Sequence, residues 1–162
     1  MDPRFSSWVS ASIKRWAPAY GVTISPAVVF GIIQRESLGG RVLQVPESNG
    51  TTSWGPMGVN DTVAQDFGVV PPSVMRDKPE LGIWYGVRQL ALLLQRFKGD
   101  VARAVSAYNA GSGNAVRNSA GRFPNQPYVD AVLGYAMAGS GVVLLAIAVG
   151  AGVLMARRRR AA

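Results

Sequence analysis

The chain has 162 residues with no Cys and no His, and a formal net charge of +8. Disulfides, thiol nucleophiles, Ser-His or Cys-His catalysis and zinc sites built on Cys or His are therefore excluded, which leaves carboxylates as the main groups for proton transfer. Four basic residues form the run Arg157–Arg160; without them 13 basic against 9 acidic residues leave +4, a moderate charge that suits an anionic polymer such as a bacterial wall. No interleaving of aromatic and basic residues points to specific nucleic-acid binding.

In chain order, Arg4–Ala17 is predicted to be a helix. Phe5, Trp8, Val9, Ile13 and Trp16 form its apolar stripe, and Pro18 is expected to end it. The segment lacks the apolar run of a secretory signal. Ser25–Gly40 is the stretch that matters most. Ser25 is a good N-cap and Pro26 fits the first helical position. Val29, Ile32, Ile33 and Glu36 share one face, so Glu36 lies on the apolar side. Gly39 and Gly40 are expected to stop this helix. Partial burial and the negative carbonyl end of the helix both predict a raised pKa for Glu36. A carboxylic acid that keeps its proton near neutral pH is what glycosidic bond cleavage needs. Glu36 is one of only three Glu in the chain, so the choice of acid is narrow.

Residues 41–61 read as a loop, rich in Ser, Asn, Gly, Pro and Thr, with Ser53-Trp54-Gly55-Pro56-Met57-Gly58-Val59-Asn60 inside it. Thr62–Phe67 reads as a short helix and Pro71–Pro79 as another loop. Leu81–Lys98 is predicted to be a helix that buries Ile83, Val87, Leu90, Ala91, Leu94 and Phe97. Asp100 caps the next helix, Val101–Ala110, which ends at Gly111. A polar loop follows to Gln126, and Tyr128–Val132 begins a further helix. From Ala131 to Ala156 there is no charged residue, and Arg157–Arg160 follows at once. Residues 133–156 are read as a transmembrane helix, since about 20 apolar residues span a bilayer core, and 157–162 as its basic tail. Glycines and alanines in this segment predict packing against another transmembrane helix or a second copy.

The ordered set Glu36-Ser37, then Ser53-Trp54-Gly55-Pro56-Met57-Gly58 with Thr62 and Ala64, then Ala107-Tyr108-Asn109-Ala110-Gly111, then Tyr128-Val129 resembles the catalytic domain of soluble lytic transglycosylases. That lysozyme-like family includes goose-type lysozyme. The resemblance covers most of Arg4–Val132. It implies a mainly α, lysozyme-like domain over residues 1–132, with a groove for peptidoglycan glycan strands and no cofactor or metal. It implies cleavage of the β-1,4 bond between N-acetylmuramic acid and N-acetylglucosamine, with Glu36 as the single catalytic acid and base. It also implies a 1,6-anhydro product, formed when the sugar's own C6 hydroxyl attacks C1. Ser37 matches the residue that accompanies the acid, and Met57 lies in the loop that lines the groove. Tyr108 and Asn109 match a substrate-contacting pair, and Tyr128 matches a tyrosine close to the Glu. One departure stands out. The family commonly has Gln where this chain has Gly58, and Asn60 is the expected replacement for its substrate contacts.

Two rival readings remain at this stage. A hydrolytic muramidase of the same fold would want a second carboxylate, with Asp61 and Asp66 the nearest candidates in sequence. A non-catalytic, membrane-anchored wall-binding or structural protein is the other. The basic tail predicts that the N-terminal domain faces away from the cytoplasm, although no leader is evident in the sequence. That combination fits the internal membrane of a bacteriophage particle, where the enzyme would open the wall during genome entry. The alternative is a bacterial inner membrane, with the domain facing the periplasm.

Overall fold

The computed structural model describes residues 2–139. The first helix, α1 (Phe5–Tyr20), runs past the expected stop and carries Pro18 in its last turn. Pro18 is exposed, so water can take the carbonyl that its missing N–H leaves unpaired. Gly21 ends the helix instead, in the left-handed conformation at φ 63°, and its N–H donates to the carbonyls of Ala17 and Pro18. The buried side of α1, with Phe5 and Val9, packs along a long helix later in the chain, α5 (Pro79–Arg96).

Helix α2 (Pro26–Ser37) follows, with Ser25 at its N-cap. The Ser25 hydroxyl makes no capping bond, so only its extended backbone fulfils the role. Val29, Ile32 and Ile33 are fully buried, as the spacing predicts. The stop falls one residue before the expected glycines, at Leu38 with φ 52°. The N–H groups of Leu38 and Gly39 both return to the Ile33 carbonyl, which closes the last turn.

The region read as loop contains a three-stranded antiparallel sheet. Its strands are β1 (Gln44–Pro46), β2 (Thr52–Trp54) and β3 (Val59–Asn60), in that spatial order. Val45 lies opposite Ser53, and Trp54 opposite Val59. Strands of two and three residues carry too few positions for alternation to be read. Asp61 braces the sheet, accepting from the Thr52 N–H at 2.7 Å and the Trp54 indole at 2.6 Å. Asp61 also opens α3 (Asp61–Asp66), close to the predicted short helix. A single turn, α4 (Val74–Asp77), sits inside the other expected loop. Val59, Ala64, Val69 and Met75 form a small second core here.

Helix α5 begins two residues before its predicted start and buries Ile83, Val87, Leu90, Ala91 and Leu94. Helix α6 (Val101–Ala110) has the expected cap, with the Asp100 carboxylate accepting from the Arg103 N–H at 3.0 Å. The last described helix, α7 (Gln126–Gly139), continues through the expected domain boundary at residue 132. Val132 and Ala136 lie in the main core and Leu133 packs against it, so these positions belong to the domain. Most of the expected span over 133–156, and the tail at 157–162, lie outside the described residues. Among the described residues no helix is long and apolar enough to cross a membrane.

Helices α2 and α7 pack against each other, and this pairing positions the site. They meet at Gly31, where an added Cβ would stand 2.5 Å from the Val132 carbonyl oxygen. The contact is backbone to backbone. It sets the register in which residues further along α2 meet residues earlier in α7. In an ordinary helix interior Gly→Ala is stabilising by up to about 1 kcal/mol. Here the sign is expected to reverse. Gly31→Ala should destabilise the domain by about 1–3 kcal/mol, as overpacking does, measured by urea unfolding. A stabilised variant would show that the helices do not meet this closely.

Candidate active site

The last turn of α2 carries Glu36 to the wall of a cavity of about 380 Å³. Tyr108 and Asn109 at the end of α6, and Gly58 and Asn60 of the sheet region, line the same cavity. Glu36 is partly buried. Its Oε1 accepts from the Tyr128 hydroxyl at 2.5 Å, a bond made possible by the register of α2 on α7. Its other oxygen lies over Gly58, where an added Cβ would stand 2.7 Å from Oε2. Gly58 has φ 61°, so a side chain there would be both strained and in collision. The carboxyl group is thus held between a phenol and a bare stretch of backbone.

The pKa of Glu36 is raised to about 7, chiefly by burial, with the charge of Glu47 adding to the shift. The Tyr128 hydrogen bond and, more weakly, Arg35 oppose it by favouring the charged form. The sequence-based expectation of a raised value holds, with burial as its leading cause. Burial also raises the pKa of Tyr128 and of Tyr108, so both phenols keep their protons and act as donors. With Oε1 occupied by Tyr128, Oε2 is the oxygen left to carry the Glu36 proton.

Ser37, Met57 and Tyr128, grouped with the substrate-binding residues by the resemblance, are buried behind the cavity wall, and Tyr128 lies against Glu36 as expected. The Ser37 side chain is fully buried, and its hydroxyl bonds to the carbonyls of Ile33 and Pro56, each at 2.8 Å. It pins the end of α2 to the turn between β2 and β3. Met57 is also fully buried, packed against Gly86 of α5, and only its carbonyl takes part, accepting from the Tyr108 hydroxyl at 2.9 Å. A thioether is the most apolar group of that turn, so it goes to the core and not to the wet groove. Tyr128 is buried too, with its hydroxyl on Glu36, which makes it a positioning residue.

Tyr108, Asn109 and Asn60 do line the cavity with Glu36. Both ends of the Asn60 amide are engaged, accepting from the Thr62 N–H at 3.1 Å and donating to the Thr51 hydroxyl at 2.7 Å. Asn109 is exposed and oriented by Asn125, whose Nδ2 donates to its Oδ1 at 3.0 Å. Asn125 in turn accepts from the buried Ser106 hydroxyl at 2.7 Å. Sequence reasoning missed Asn125, which lay in a stretch read only as polar loop. It also missed Glu47, which lines the cavity and accepts from the Ser53 hydroxyl at 2.8 Å. The signal for Glu47 would have been the β1–β2 hairpin, which folds that residue back over the groove. Of the expected second carboxylates, Asp61 is consumed in bracing the sheet, and Asp66 lines a neighbouring cavity. Among the described residues no cluster of carboxylates could hold a metal ion.

The family model for the transglycosylase SLT domain matches residues 12–128. The chain belongs to the transglycosylase SLT domain family. A solved structure similar to this SLT domain is that of an inactive Glu-to-Gln mutant of the lytic transglycosylase Slt from Pseudomonas aeruginosa. The two share 20% sequence identity with a TM-score of 0.56, over 82% of this chain. The match spans only 24% of the Pseudomonas chain, and at this identity the likeness is one of fold. It supports a mainly helical, lysozyme-like architecture for this SLT domain.

The raised proton affinity of Glu36 has a stability consequence. Between its ordinary value of 4.5 and about 7 the folded state binds more protons than the unfolded state. Stability from this group is therefore greatest below pH 4.5 and declines as pH rises towards 7, by about 3 kcal/mol in all. Glu36→Gln removes the ionisation. Relative to wild type it is expected to be more stable at pH 8 than at pH 4, measured by thermal unfolding at the two pH values. An equal difference at both would contradict the shift.

Proposed function

We propose that this SLT domain is a peptidoglycan lytic transglycosylase that cleaves the β-1,4 bond between N-acetylmuramic acid and N-acetylglucosamine. The observation that carries the reading is Glu36, a carboxyl group with a proton affinity near neutral, on the wall of a cavity large enough for a sugar. A group with a pKa of about 7 serves as acid and as base at neutral pH with little penalty in either role. Protonated Glu36 gives its proton to the leaving oxygen as the glycosidic bond breaks. The resulting carboxylate then takes the proton of the C6 hydroxyl as that oxygen bonds to C1. A 1,6-anhydro end forms and no water is consumed. Tyr128 steadies the carboxylate between the two steps, since its hydrogen bond favours the charged form. The loss of activity in the Pseudomonas protein on a Glu-to-Gln change supports this assignment of the role to a Glu.

One observation favours a second reading, hydrolysis. Glu47 lines the same cavity as Glu36, and in that reading it would be the carboxylate that activates a water. The products separate the two, because an anhydro end is lighter by one water than a reducing end.

The uncharged run at 131–156, followed by Arg157–Arg160, supports attachment to a membrane with the basic end on the inner side. Local wall opening, during entry of a phage genome or at an inner-membrane channel, is the role proposed for such an anchored domain.

Purified sacculi test the chemistry. Wild-type protein is expected to clear them and to leave 1,6-anhydro ends by mass spectrometry. Glu36→Gln should slow clearance by roughly 10²- to 10⁴-fold, the usual contribution of a general acid. The wild-type rate should fall as pH rises through about 7, when Glu36 loses its proton. Clearance by Glu36→Gln at the wild-type rate would remove Glu36 from the mechanism.

A further inference from the structure

We propose that Asn125 is a positioning residue that fixes the polarity of the Asn109 amide, so that Asn109 presents its NH2 group to the glycan and takes a carbonyl oxygen there. The inference rests on the glycan-cleaving reading and deepens it. The oxygen and the NH2 group of an Asn are nearly the same in shape, so partners decide which of them faces a ligand. Here the decision runs outward from the main chain. The Ser106 carbonyl can only accept, so the Asn125 atom 3.0 Å from it is Nδ2. Oδ1 is then the atom that accepts from the Ser106 hydroxyl at 2.7 Å. The same Nδ2 lies 3.0 Å from Asn109, and a donor must meet an acceptor, so Asn109 turns its Oδ1 towards Asn125. Asn109 is exposed on the cavity wall, and its Nδ2 donates to no group among the described residues. Asn125 does not line that cavity, so the bond draws Oδ1 away and leaves the NH2 group to serve it.

The anchor of this arrangement is rigid. Ser106 is fully buried within α6 and stands one turn before Asn109, on the same side of the helix. Its hydroxyl and its carbonyl grip the two ends of the Asn125 amide. Asn125 also stands just ahead of α7, where its own carbonyl accepts from the Tyr128 N–H at 2.9 Å and the Val129 N–H at 3.3 Å. One residue therefore ties the start of the helix whose Tyr128 holds Glu36 to the side chain of Asn109. A fixed NH2 group is selective. A sugar hydroxyl can turn to meet either polarity, whereas a carbonyl oxygen only accepts. In a peptidoglycan strand such oxygens belong to the acetamido groups of both sugars and to the lactyl group of N-acetylmuramic acid.

The test uses the full chain with Glu36→Gln, so that the sugar is not consumed. The probe is a tetrasaccharide of alternating N-acetylglucosamine and N-acetylmuramic acid, with affinity followed by calorimetry. Adding Asn125→Asp keeps the shape and a residue favoured ahead of a helix, but removes the donor. Asn109 then turns its NH2 group to the new carboxylate and its oxygen to the glycan. Binding is expected to weaken about tenfold, the scale of one lost hydrogen bond. Asn125→Ser, also favoured at a helix start, gives up the reach to Asn109 without reversing it and is expected to cost about threefold. Asn109→Ala should cost about tenfold by itself. The deciding readout is the double variant. In the Asn109→Ala background, Asn125→Asp and Asn125→Ser should each change affinity less than about twofold, because they act through Asn109. Additive losses would mark Asn125 as structural and overturn the proposal. Unchanged binding in Asn125→Asp or in Asn109→Ala would overturn it too and leave the glycan reading standing. A second probe, a tetrasaccharide of N-acetylglucosamine alone, separates the two sources of the oxygen. The same non-additivity with it assigns the acetamido carbonyl, and non-additivity with the alternating probe only assigns the lactyl group. Absence of binding of either probe by Glu36→Gln alone would remove both readings together.

Discussion

The structure depends on withdrawing one carboxyl group from water without pairing it to a cation. An arginine against Glu36 would hold its pKa low and fix it as a carboxylate. Its hydrogen-bond donor is instead the neutral hydroxyl of Tyr128, and its second oxygen faces the backbone of Gly58. Burial therefore wins over the hydrogen bond, and the group stays near the midpoint of its titration at neutral pH. The negative charge of Glu47 pushes in the same direction, so part of the shift comes from the groove itself.

Close backbone approach is how the fold achieves this. Gly31 lets α2 and α7 touch main chain to main chain, and that register delivers Tyr128 to Glu36. Ser37 ties the end of α2 to Pro56, and Tyr108 ties α6 to Met57, so the turn carrying Gly58 is held from both sides. These hydroxyls act on the framework of the site. Tyr128 acts on the carboxyl group itself. Asn109, held by Asn125, is left exposed on the cavity wall.

The helices were legible because each buries one regular face. Val29, Ile32 and Ile33 announced both α2 and the side on which Glu36 would lie. Asp100 announced the start of α6. The sheet was not legible, because its strands are as short as two residues and their composition is that of a turn. Nor were the close contacts at Gly31 and Gly58, since a glycine reads as a break until its neighbour is known. Ser37, Met57 and Tyr128 were found by resemblance, which gives a position but not the direction in which a side chain points. Glu47 was missed for a different reason. It shares a cavity with Glu36 only once β1 and β2 have paired.

The most direct measurement is the titration of the Glu36 carboxyl carbon by NMR, in wild type and in Tyr128→Phe. A wild-type midpoint near 7 is predicted, and a higher one in Tyr128→Phe, which loses the bond that favours the charged form. A wild-type midpoint near the ordinary 4.5 would mean that the group stands in open water, and the account would be contradicted.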